Sequence, residues 1–118
     1  MNLNQVNLMG RPTKILELRY TKDNISMLSF SLAISSSKDT TEFIEVRAYN
    51  NQANYLYNYL KDKGRVIISG KLKSNSYENK QGYRVYETVV VTSDVQIIDF
   101  KEKDSNLAEN YIYRWLNG

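Results

Sequence analysis

Hydrophobic and polar residues alternate with a period of two along most of this chain. From Thr41 to Tyr49, Ile44, Val46 and Ala48 fall on one side, and Phe43, Glu45, Arg47 and Tyr49 on the other. That is the pattern of a strand with one buried face. Met27 to Ser35 repeats it, with Leu28, Phe30, Leu32 and Ile34 predicted inward and Ser29, Ser31, Ala33 and Ser35 outward. From Arg65 to Tyr77, Val66, Ile68, Gly70 and Leu72 alternate with Ile67, Ser69, Lys71, Lys73, Asn75 and Tyr77. A run rich in Val and Ile from Arg84 to Phe100, and a short one marked by Val6 and Leu8, complete a set of five strands. Helical spacing occurs twice. Between Asn51 and Lys61, Ala53, Leu56, Tyr57 and Leu60 share a stripe, with Asn50 or Asn51 as the expected N-cap and Gly64 as the stop. After Ser105, Leu107, Tyr111, Ile112, Trp115 and Leu116 share another, capped by Ser105 or Asn106.

Three strands, a helix and two strands in so short a chain predict an all-β domain, a five-stranded OB-fold barrel with one helix between strands three and four. A short C-terminal helical segment follows it. Small sandwiches and SH3-like barrels match the strand count, and the helix placement favours the OB-fold. Closure would hide the strand edges that an open sheet leaves exposed. The single proline and five scattered glycines form no linker, and there is no internal repeat. One domain over residues 1–100 and a tail over 101–118 are therefore expected.

Composition narrows the chemistry. The 118 residues contain neither His nor Cys, which removes thiolate and imidazole metal sites, a Cys nucleophile, a Ser-His-Asp triad and any disulfide framework. Neither a metal nor a cofactor is expected. Sixteen Lys and Arg against thirteen Asp and Glu leave a net charge of +3, a modest bias toward polyanions. That excess sits in the strand-rich part: residues 1–98 hold 13 basic and 9 acidic side chains, 13 − 9 = +4, and residues 99–118 hold 3 and 4, 3 − 4 = −1. No apolar run approaches the roughly 20 residues needed to cross a bilayer, and MNLNQVNLMG has no secretory pattern. A cytoplasmic location is expected.

The outward faces of the third and fourth predicted strands carry the candidate chemistry. Phe43, Arg47 and Tyr49 are in phase on one, and Lys71, Lys73 and Tyr77 on the other. Solvated strand faces ordinarily carry small polar groups. Rings interleaved with cations suit unpaired bases, each of which stacks for about 1–3 kcal/mol while its phosphate meets a positive side chain. A structural reading competes: strands favour aromatics for packing, Glu45 stands ready to neutralise Arg47, and of the helical Tyr55, Tyr57 and Tyr59 at least Tyr57 is expected to pack.

The blocks NQVNLMGRPTK and ELRYT, the SFSLAIS and TEFIEV strands, and GKLKSNSYENKQGYRVYETVVV together resemble the bacterial single-stranded DNA-binding proteins of the tetrameric OB-fold type. The resemblance covers roughly residues 2–98. It implies stacking roles for Phe43, Tyr49 and Tyr77 and phosphate contacts for Arg19 and Lys73, whereas Arg47 and Lys71 are added from strand phase alone. It also implies a homotetramer, with a dimer as the fallback. Pro12, Ile15 and Leu16 depart from the family pattern, so the first hairpin is expected to turn differently. The loop from Ser35 to Thr40 is shorter than is usual there, which implies fewer nucleotides per subunit. Glu45 and Asn75 stand at positions often basic, which implies weaker phosphate neutralisation. Family members commonly continue through a long linker to an acidic tip that recruits other proteins. This sequence ends at Asn117 and Gly118, so that route is expected to be missing. The stripe of Leu107, Tyr111, Ile112 and Trp115 is expected to pack on its own barrel or a neighbouring subunit, with helix-in-groove docking of a protein partner as the alternative.

The expected function is non-catalytic: sequence-independent coating and protection of single-stranded DNA in replication, recombination or repair. Plasmid, phage or mobile-element propagation is one such setting. One alternative is a primosome-type OB-fold protein that mainly bridges other proteins. Another is an enzyme with a carboxylate pair, for which Glu42 and Glu45 or Asp94 and Asp99 are the candidates. Strand parity separates Glu42 from Glu45, and no phosphate loop accompanies either pair.

Overall fold

The computed structural model of the protein describes residues 2–101. The chain order is β1 (Val6–Pro12), β2 (Arg19–Tyr20), β3 (Ser26–Ser37), β4 (Thr40–Tyr49), α1 (Asn50–Tyr59), β5 (Val66–Glu78) and β6 (Arg84–Ile97). The sheet runs β1-β5-β6-β4-β3-β2, and a further β1–β3 pairing closes β1, β5, β6, β4 and β3 into a five-stranded barrel. This is the expected OB-fold arrangement, with α1 between the third and fourth barrel strands. The two-residue β2 has no counterpart among the predicted strands. It is a stub on the edge of β3, with Arg19 opposite Met27 and Tyr20 opposite Ser26, too short to leave a periodic signal.

The alternation places the core. Leu28, Phe30, Leu32, Val46, Ala48, Val66 and Ile68 are buried inside the barrel, and Ala53, Leu56 and Leu60 bring α1 onto it. The last strand keeps parity through a bulge. Ser69 faces Asp94 and Gly70 faces Thr92, so Ser93 is left over. Val90 and Val95, which a regular strand would point to opposite sides, therefore both reach the core. The barrel closes tightly at two glycines. A Cβ on Gly10 would lie 2.3 Å from the Ala33 carbonyl oxygen, and one on Gly70 would lie 2.2 Å from that of Val91.

Several local expectations need correction. The N-cap of α1 is Tyr49, without a side-chain cap bond, because Asn50 already has helical hydrogen bonding although its φ is +56°. The helix ends at Leu60 in extended backbone, four residues before Gly64. The left-handed turn that follows belongs to Lys63, at φ +61°. Tyr57 was expected to pack, but it is exposed, and Tyr55 and Tyr59 pack against the core instead. Leu72 was expected inward, yet it is 48% exposed. It lies where β1 gives out, and the Asn4 side chain completes its backbone pairing: Asn4 Nδ2 donates to the Leu72 carbonyl at 2.8 Å and Leu72 N–H donates to Asn4 Oδ1 at 2.9 Å. The final strand stops at Ile97, and Phe100 is held by a bridge to Leu60 and an edge-on contact with the Tyr55 ring. The predicted C-terminal stripe of Leu107, Tyr111, Ile112 and Trp115 lies outside the described residues.

Candidate nucleic-acid interface

Cross-strand register decides which side chains share a surface, because directly opposed residues point to the same face. On the outer face, Arg19 opposes Met27 and Met27 opposes Tyr49, while Ser29 opposes Arg47 and Ala33 opposes Phe43. The sequence placed Phe43, Arg47 and Tyr49 on one strand and Lys71, Lys73 and Tyr77 on the next in chain order. In the sheet, β6 runs between those two strands. Arg47 pairs with Val91 of β6, and Val91 pairs with Lys71 of β5. Lys73 and Tyr77 follow Lys71 in phase, opposite Val89 and Val85. All seven predicted residues thus lie on one continuous outer face spanning β2, β3, β4, β6 and β5.

The rings differ in setting. Phe43 is 63% exposed and Tyr77 is 50% exposed. Tyr49 is half-buried at the junction of β4 and α1. Tyr77 stands about 20 Å along β5 from Lys71, at a strand rise of about 3.3 Å per residue, on the arm of the β5–β6 hairpin. The β3–β4 hairpin turns on Lys38 and Asp39 alone, since Ser37 pairs with Thr40, so the short loop expected there is a tight turn.

The cations also differ. Among the described residues, neither Lys71 nor Lys73 is held in an ion pair. Arg19 lies 3.3 Å from Glu17, with both side chains mostly in solvent, where such a pair is weak and readily exchanged. Arg47 is neutralised, but by Glu87 of β6 at 3.1 Å rather than by Glu45. Glu45 instead accepts a hydrogen bond from Ser29 Oγ at 2.7 Å. Strand neighbours along one chain gave no sign of Glu87, which β6 carries into the middle of the face. Two residues further along β6 on the same face, opposite Lys73, Val89 is buried apart from the barrel core, an apolar patch between β4 and β5.

Sequence reasoning missed the loop between β1 and β2. Thr13, Lys14, Ile15 and Glu17 form one wall of an open groove of about 1010 Å³, and Met27, Ser29, Ser31, Arg19 and Arg47 form its floor and far side. Exposed Tyr20, Tyr83 and Tyr86 were also overlooked. Tyr86 opposes Ser76, on the side of the hairpin away from Tyr77, so parity would have excluded it from this face. Among the described residues, no group of three acidic side chains could hold a metal ion.

The profile of the single-strand binding protein family matches residues 3–98. The chain is 38% identical over 113 residues to single-stranded DNA-binding protein 4 of Streptococcus agalactiae, covering 90% of this chain and 81% of that one. It is 35% identical over 103 residues to the single-stranded DNA-binding protein of Streptococcus pneumoniae, covering 82% and 66%. Against single-stranded DNA-binding protein 1 of Staphylococcus aureus it is 33% identical over 115 residues, covering 92% and 74%.

Proposed function

The chain belongs to the single-strand binding protein family, and on that premise we propose that its outer β face binds single-stranded DNA with little regard to sequence. The observation that carries this reading is the common face of Phe43, Tyr49 and Tyr77 with Arg19, Arg47, Lys71 and Lys73. Exposed rings offer each unpaired base a flat apolar partner, and cations between them meet the phosphates. Stacking accepts any base and the cations read only backbone, so sequence matters little. A duplex keeps its base faces in its own stack and gains only the electrostatic part. Lys71 and Lys73 engage phosphates directly, whereas Arg19 and Arg47 exchange a carboxylate for one. The protein acts as a binder rather than a catalyst, in the cytoplasm, protecting exposed strands during replication, recombination or repair.

It does so as an assembly of several copies, with a tetramer as the expected form. Val6 to Gly10 pair with β5 on one side, and on the other β3 meets only Arg11 and Pro12. The outer edge of β1 therefore offers unpaired backbone groups. Beside it Met9 and Ile67 oppose one another, 53% and 39% exposed, an apolar pair suited to a twofold contact.

Titration with a homopolymeric single-stranded oligonucleotide against a duplex of equal length, followed by intrinsic fluorescence, tests the reading. Tight, quenching binding to the single strand and weak binding to the duplex are expected. Equal affinity for the two would reject it. Light scattering checks the assembly.

A further inference from the structure

The β face crosses the barrel at the seam between β4 and β6. Arg19, Phe43, Arg47 and Tyr49 stand on one side of that seam, and Lys71, Lys73 and Tyr77 on the other. Each side is built on a long antiparallel ladder. One runs from the Met27–Tyr49 pair to Ser37 and Thr40, the other from the Val66–Ile97 pair to Glu78 and Arg84. The seam itself is short: β4 pairs with β6 in parallel at Val46 and Arg47, opposite Val90 and Val91. At Tyr49 and Asn50 the chain then turns into α1.

A side chain of α1 prolongs the seam. Gln52, half-buried in the first turn, donates through Nε2 to the Ser93 carbonyl at 2.7 Å and accepts at Oε1 from the Thr92 hydroxyl. Thr92 and Ser93 follow Val91 directly and form the bulge of β6. Ser93 Oγ donates in turn to the Ser69 carbonyl of β5 at 3.1 Å. Both ends of the Gln52 amide are therefore committed, the donor to a carbonyl and the acceptor to a hydroxyl. A carboxylate in its place would face the Ser93 carbonyl with no proton to offer, and an apolar chain would bond neither residue. The start of α1 is itself tied to β3, because Ser26 Oγ donates to the Asn50 carbonyl at 3.2 Å. A bulge bends its strand and increases the local twist, and beyond this one β5 and β6 run on as the arm that carries Lys71, Lys73 and Tyr77. Gln52 thus grips the base of that arm from the end of β4 that carries Tyr49. The Arg47–Glu87 pair also crosses the seam, but a phosphate that takes Arg47 would open it. The Gln52 bonds do not depend on that pair.

We propose that Gln52 is a positioning residue for single-strand binding: it sets the angle between the two halves of the face, so that one strand engages Tyr49 and Tyr77 together. The inference rests on the single-strand reading and deepens it. Gln52 acts through the bulge rather than through contact with DNA. It holds the halves in their working relation beforehand, which spares the complex the cost of ordering them.

The test uses the full chain and dT oligonucleotides of graded length. Gln52→Met keeps the length of the side chain and removes both bonds. It should leave unchanged the affinity for oligonucleotides too short to reach from Tyr49 to Tyr77, and lower it several-fold for longer ones. The penalty for Tyr77→Ala with long dT should also shrink several-fold in the Gln52→Met background, because the arm no longer meets the strand in place. Equal loss at every length, or an undiminished Tyr77→Ala penalty, means a merely structural role and overturns the proposal. So does a variant equal to wild type throughout. Gln52→Glu gives a second readout that does not depend on the methionine variant folding. At neutral pH its carboxylate opposes the Ser93 carbonyl, and long dT should bind it several-fold more weakly than wild type. As pH falls through about 4.3, the ordinary glutamate value, the protonated carboxyl donates to Ser93 and accepts from Thr92, and the deficit relative to wild type at the same pH should close. Thymine has no group that titrates in that range. A deficit that persists there overturns the proposal. Failure of wild type to bind any single strand rejects the parent reading instead, which keeps the two failures distinct.

Discussion

Exposure and pairing set what each side chain on the β face contributes. Phe43 and Tyr77 are held by strand backbone and open to solvent, so truncating either removes a stacking surface without opening the core. Phe43→Ala and Tyr77→Ala should each weaken single-strand binding by about 1–3 kcal/mol, with thermal stability little changed; titration together with thermal melting checks both parts. The Arg47–Glu87 pair makes the opposite prediction. Glu87 puts a carboxylate on the face that phosphates would approach and occupies the guanidinium at 3.1 Å. Glu87→Gln should tighten binding and steepen its salt dependence, while removing the ion pair costs at most about 1 kcal/mol of stability. Parallel binding isotherms at two salt concentrations measure it. Strand phase revealed the orientation of Arg47 but not its partner, since the two residues are 40 positions apart and meet only because β6 inserts beside β4.

The strands depend on two points where backbones approach too closely for a side chain. Gly70 sits at the bulge that corrects the parity of β6, and Gly10 where β1 crosses from β5 to β3. Adding a methyl at either drives it into a carbonyl oxygen of the neighbouring strand. Gly70→Ala and Gly10→Ala should each destabilise the fold by about 1–3 kcal/mol, as overpacking does, read as a lower denaturation midpoint. Alternation along the chain located the strands because burial of one face imposes a period of two. It misplaced Leu72 and Tyr57 for a related reason. Periodicity reports which side of an element a residue takes, and burial also requires a neighbouring element to cover that side. Alternation continues to Leu72 after β1 has ended, so Leu72 points the right way with nothing over it.

For the molecule as a whole, the seam between the start of β5 and the end of the chain's described part is electrostatic. Arg65 grips Asp99 through Nε at 2.9 Å and its second nitrogen at 3.2 Å, and its backbone N–H also donates to the carboxylate at 2.8 Å. The side-chain hydrogen bonds from Arg65 first, then its backbone hydrogen bond, pull the Asp99 carboxyl from 3.8 to about 2 against the cost of desolvation, with the charges of Arg65 and Arg11 adding less. A depressed carboxyl favours the folded state above its unfolded pKa, so this contribution is complete above about pH 4. It fades as pH falls through about 2, where folded and unfolded chains both take up the proton. Asp99→Asn should therefore lower stability at neutral pH and flatten the stability profile between those limits, measured by denaturant melts across pH. Binding is governed by charge at the same scale. Single-strand affinity should fall with salt at a log–log slope of about −0.7 per phosphate neutralised, and a flat response would mean that the face does not use its cations.

The order of residues alone settles the class of the fold, because alternating strands around one amphipathic helix have few ways to bury their apolar sides. It also settles the phase of Phe43, Arg47 and Tyr49 and of Lys71, Lys73 and Tyr77, since parity along a regular strand is a local property. That these two sets lie on one face with Arg19, that Glu87 and Val89 stand between them, and that Gln52 reaches the bulge of β6 became visible only in three dimensions. Those relations depend on which strands become neighbours and in what register, and closure of the barrel fixes them through pairings between residues far apart in the chain.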